Sequence, residues 1–114
     1  MTETRTASQA IVDEVTSWPG VEIDTSEPGE LAFKVGRREI GHLHGDGVAH
    51  FGFTKQVWHE LHTQGRIEEH PVFPGKPGPG ARVIHDDADV RDVIELLRIT
   101  YDRAVARAAE RAAG

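Results

Sequence analysis

Hydrophobic and polar positions change period several times along this chain, and each change marks an element. Between residues 6 and 18, Ile11, Val15 and Trp18 fall at i, i+4 and i+7, the apolar stripe of a helix. Thr6 and Gln9 have capping-box spacing, in which each side chain satisfies the other's backbone N–H, and Pro19-Gly20 ends the run. The period then drops to two. Residues 21–24 alternate as an edge strand does, Leu31, Phe33 and Val35 alternate with Ala32 and Lys34, and residues 39–44 and 48–53 continue the pattern. Pro28-Gly29 suits a type II turn, Gly36-Arg37 a two-residue hairpin turn, and Asp46-Gly47 another. Thr54 is a good N-cap and Gly65 a good stop for a second helix with Val57, Trp58 and Leu61 on its apolar side. Residues 66–73 predict a strand, 74–80 a Pro/Gly loop, and 81–85 a last strand. Asp86 or Asp87 caps a closing helix, in which Val90, Val93, Ile94, Leu97, Tyr101, Ala104 and Val105 form one stripe.

The order α-β-β-β-β-α-β-β-α predicts an α+β fold. A mainly antiparallel sheet of five to six strands, a β-meander, is packed by three helices gathered on one face. A parallel sheet would need strands and helices in regular alternation. With 114 residues the chain is read as a single domain, with 1–5 and 107–114 as ends that fray. Beyond Ala106 the sequence is rich in alanine and arginine, a segment suited to extending the helix or to packing on a second subunit as a homodimer.

Strand parity decides which side chains meet. Two-residue turns in both hairpins set His42 opposite Phe51 and His44 opposite Ala49. One face then carries Leu31, Phe33, Val35, Ile40, His42, His44, Ala49, Phe51 and Phe53, with His50, Gly41 and Leu43 on the other. A slip of one residue reverses this. On that register the expected ligand-binding residues are His42, His44, His70, Phe51 and Glu39. As a metal site, His42, His44 and His70 would hold a divalent transition metal, with Glu39 or Asp46 as further ligand or base. The plain alternative is that these histidines are hydrogen-bonded structural residues. His59 and His62, at i, i+3 on the second helix, have chelating spacing but fit a solvated flank equally well.

Composition narrows the classes. The net charge is −6 with histidine neutral, which disfavours nucleic acid as a partner. The pair Arg37-Arg38 could hold an anion or simply occupy a solvated turn. There is no cysteine, so disulfides, thiolate chemistry and cysteine-ligated metals are excluded. The three serines, Ser8, Ser17 and Ser26, stand in no nucleophile-elbow pattern. No apolar run is long enough to span a bilayer, and the N-terminus lacks a signal-peptide pattern. The expected setting is cytoplasmic, without membrane contact, and the partner a small molecule or protein. Seven histidines are the unusual chemical resource.

The run Gly36-Arg-Arg-Glu-Ile-Gly-His-Leu-His-Gly45 resembles the small bacterial and archaeal proteins labelled "luciferase family" or "luciferase domain". The resemblance continues through Phe53, the helix Val57-Trp-His-Glu-Leu61, Glu69-His70-Pro71 and the closing helix with Tyr101. It departs at Gly78-Pro-Gly-Ala-Arg82, where the family usually has a serine-glycine-tryptophan segment. The resemblance implies a small domain of unknown function and carries little mechanism. No flavin- or nucleotide-binding pattern accompanies it.

Overall fold

The computed structural model describes residues 5–113, and the expectation of fraying at residues 1–4 and 114 lies outside them. The elements are α1 (Ala7–Val15), β1 (Val21–Asp24), β2 (Leu31–Val35), β3 (Arg38–His44), β4 (Val48–Gly52), α2 (Lys55–Thr63), β5 (Glu68–Glu69), β6 (Pro79–Val83) and α3 (Asp87–Ala113). This is the α+β order the sequence predicts. All neighbours in the six-stranded open sheet are antiparallel, in the order β1-β2-β3-β4-β6-β5.

The caps form as their residue types dictate. The Thr6–Gln9 box closes at both ends, and Thr54 accepts from the Val57 N–H at 3.2 Å. Asp86 accepts from the Asp89 N–H at 2.9 Å and so caps α3. Of the courses open to the tail beyond Ala106, the structure has the helix extended: α3 is helical through Ala113. The predicted strand over 66–73 shrinks to Glu68–Glu69, because Pro71 lacks a donor and the chain turns at 70–73.

The core lies between one face of the sheet and the helices. Val93, Leu96 and Leu97 of α3 are fully buried, with Ile11 and Val15 of α1 and Phe33, Ile40, Leu43 and Ala49 of the sheet, and Phe51 is buried beside them. Trp58 of α2 joins them and donates from Nε1 to the Pro79 carbonyl at 2.9 Å. Gly41 permits the closest approach: a Cβ there would lie 2.5 Å from Leu97 Cδ2 and 3.0 Å from the His50 carbonyl oxygen. At the sheet's far side Arg82 bonds Asp89 and Asp92 of α3, and Arg66 shares Asp92, so β6 and the chain after α2 are tied to one helix.

The register differs from the predicted one at two places. The β2–β3 turn is the expected two-residue Gly36-Arg37, with Val35 opposite Arg38. Farther on, Lys34 pairs with Glu39 but Phe33 with Gly41, so Ile40 is an extra residue in β3, a β-bulge. The β3–β4 turn is not Asp46-Gly47 but the three-residue loop 45–47, with His44 opposite Val48 and Gly45 at φ +59° supplying the left-handed conformation. Each change shifts parity by one. His42 therefore faces His50, and Leu43 faces Ala49.

Candidate functional site

Those two shifts sort β3 and β4 into opposite faces. Leu43, Ala49 and Phe51 turn toward α3, while His42, His44 and His50 emerge on the face away from the helices, beside Ala32 and Ala81. The expected grouping of His42 and His44 with Phe51 is thus corrected: Phe51 is a buried core residue on the far side. His50, which the two-residue turn assigned to the other face, stands directly across from His42.

Three imidazole nitrogens converge. His42 Nε2 and His44 Nε2 each lie 3.2 Å from His50 Nδ1, and all three lie within 4.8 Å of one another. Glu30, at the entry to β2, places Oε1 3.5 Å from His44 Nε2 and 3.9 Å from His42 Nε2. Glu39 holds the other side of His42, with Oε2 2.8 Å from Nδ1. A carboxylate accepts, so His42 Nδ1 carries hydrogen and donates, and Nε2 is the nitrogen left to face the cluster. The rings grade from buried to open: His50 is 8% exposed, and the side chains of His42 and His44 are 18% and 35% exposed.

Electrostatics separates the rings. The Glu39 hydrogen bond raises the His42 pKa above its ordinary value, against the opposing effect of burial. Burial, reinforced by His70, His42 and His44, pushes His50 down to about 4, so its ring is neutral near pH 7. A neutral imidazole offers a lone pair to a cation.

Of the other expected site residues, His70 does not enter the convergence. Its ring packs on His50 with centroids 4.2 Å apart, and its Nδ1 accepts from the Val72 N–H at 3.1 Å. Asp46 lies away from the cluster and caps α1, accepting from the Ser8 N–H at 2.8 Å. Glu39 touches His42 on the side away from the other rings. His62 stacks on Trp58 at 4.6 Å between centroids. Sequence reasoning missed His50 and Glu30. The signal for His50 was present: only pairing His42 with His50 puts every histidine of the hairpin on one face and Leu43, Ala49 and Phe51 on the other. Glu30 carries no such signal, because a turn delivers it.

A six-stranded antiparallel sheet, helices on one face and a histidine cluster on the other define a small α+β domain whose polar chemistry sits on the open sheet face. Residues 37–100, more than half of the chain, match the family model described as Luciferase domain, and the chain belongs to that family. The match includes all three converging histidines and leaves Glu30 outside. No curated protein and no solved structure matches the chain.

Proposed function

We propose that this domain is a ligand-binding module whose ligand is a divalent transition metal held by His42, His44 and His50, with Glu30 as the fourth donor. The observation that carries it is the convergence of three nitrogens, two pairs of them 3.2 Å apart. Zinc–nitrogen bonds of about 2.0–2.1 Å in a tetrahedron put neighbouring nitrogens about 3.4 Å apart, so little movement is needed. Glu39 on His42 Nδ1 supplies the carboxylate–histidine arrangement that fixes ring orientation around metals. Imidazole and carboxylate donors suit zinc, iron or manganese rather than calcium.

A second reading, a small metal-dependent enzyme, draws on the exposure of His44. Three histidine ligands with a solvent-reachable fourth position are the arrangement in which zinc activates water. In that reading Glu30 yields its place to water and acts as base.

Both readings require metal binding. Chelator-stripped, tag-free protein titrated with Co(II) should develop visible ligand-field bands saturating at one equivalent, and Zn(II) should displace them. His44→Ala, at the most exposed ring, should weaken binding about 100-fold or more while leaving the circular dichroism unchanged. No saturable binding, or equal binding by the variant, would exclude both. Turnover in an esterase and phosphatase screen, lost in His44→Ala, would select the enzyme.

A further inference from the structure

Of the ten arginines, Arg5, Arg66, Arg82 and Arg98 each bond a carboxylate. Among the described residues the remaining six, Arg37, Arg38, Arg91, Arg103, Arg107 and Arg111, make no ion pair and no side-chain hydrogen bond. Four of these six line one cleft. Arg37 and Arg38 come from the β2–β3 turn, and Arg107 and Arg111 from the last turns of α3. The cleft encloses about 400 Å³, and Val35, Ala104 and Ala108 supply its apolar wall.

This concentration runs against the rest of the molecule, whose net charge is −6. Arg107 and Arg111 stand at i, i+4, where like charges repel, and Arg37 and Arg38 are adjacent. No lining residue is acidic. An anion relieves the repulsion. A single carboxylate would leave most of the positive charge unmatched, whereas two linked phosphates bring about three negative charges and several oxygens for bidentate guanidinium bonds. The volume exceeds what the phosphates alone fill, and the alanine and valine wall suits an organic substituent.

We propose that the cleft between the β2–β3 turn and the C-terminal turns of α3 binds the diphosphate group of a small organic ester. The Arg37-Arg38 pair contributes from the sheet, and Arg107 and Arg111 from the helix. The site is separate from the histidine cluster and shares no residue with it.

The test is a titration of the full chain, followed by amide NMR. Chelator is present throughout, so that diphosphate bound to a metal does not contribute. Inorganic pyrophosphate and a nucleoside diphosphate should each give saturable shifts at residues 36–38 and 104–111, with inorganic phosphate about tenfold weaker or more. The double variant Arg38→Met/Arg107→Met, at a half-buried strand position and an exposed helix position, should keep its circular dichroism and lose about tenfold or more in pyrophosphate affinity. Arg103→Met, which removes an unpaired arginine outside the cleft, should change it less than about twofold. Shifts spread equally over Arg91 and Arg103, an equal loss in Arg103→Met, or no saturation would overturn the proposal. So would tighter binding of a single-stranded oligonucleotide with a footprint extending along α3.

Discussion

The two nitrogens of His42 have different partners, and that division is the most informative feature at the scale of single residues. Nδ1 is committed to Glu39, which leaves Nε2 to His44, His50 and Glu30. If a metal occupies the cluster, Glu39 acts through His42 by fixing its tautomer and ring plane. Glu39→Gln should then weaken zinc binding about 10–100-fold without changing stoichiometry, measured by competition with a chromophoric chelator. Glu30→Gln removes a direct donor and should also alter the Co(II) spectrum, which Glu39→Gln should not. At this scale the sequence made His42, His44 and Glu39 legible, because all three fall in one seven-residue strand. His70, expected beside His42 and His44, does pack on His50, but its Nδ1 closes a turn on Val72, a local hydrogen bond that strand periodicity does not reveal.

Among the elements, β3 is the decisive one. Its extra residue, Ile40, has no partner on β2. Thr100 of α3, sixty residues away, reaches its carbonyl: the buried hydroxyl has one hydrogen and two acceptors, the Ile40 oxygen at 2.6 Å and the Leu97 oxygen at 2.9 Å, and the shorter contact marks Ile40 as the acceptor. The helix thereby holds the bulge that turns His42 outward. Thr100→Val keeps the shape and removes the donor, so it should cost about 1–3 kcal/mol in chemical denaturation, the penalty of an unsatisfied buried acceptor. It should also loosen the cluster and lower metal affinity. An unchanged denaturation midpoint would show that the bulge stands without this bond. Hydrophobic periodicity located α1, β1 to β4 and α2 within a few residues, because each has its own apolar stripe, but overextended β5, which is only Glu68–Glu69, and left the end of α3 at Ala113 unmarked. It did not locate the bulge, whose cause is a contact between residues far apart in sequence, nor the length of the 45–47 loop, where two glycines allow two turn types. The alternation of histidine with Leu43 and Phe51 would have arbitrated between them.

Across the described residues, α3 is the common neighbour of α1 through its buried stripe, of the central strands through Leu97 against Gly41, and of β6 through Arg82, Asp89 and Asp92. The last of these was hidden in the sequence, since ion pairing depends on which strand lies beside the helix. It has a pH signature. The Arg82 hydrogen bond, helped by the His85 N–H, holds the Asp89 carboxyl below its ordinary range. A lowered folded-state pKa gives stability that is present above the unfolded carboxylate value of about 3.9 and is lost as pH falls toward the folded value. Metal-free Asp89→Asn should therefore melt below the wild type at pH 7, and its melting temperature should fall less steeply on acidification below about pH 4. Parallel curves for the two proteins would remove Asp89 from the acid response. No described helix is long and apolar enough to cross a membrane.

The bulge and the three-residue loop also give residues 36–50 something like a reading frame. Gain or loss of a single residue between the Gly36 turn and His50 would swing an imidazole into the hydrocarbon under α3 and a leucine or phenylalanine into water. A change of two would restore the sides. The segments 25–29 and 71–78 answer to no such count, so length variation in this domain is tolerable at its margins and forbidden, one residue at a time, in the hairpin that carries its histidines.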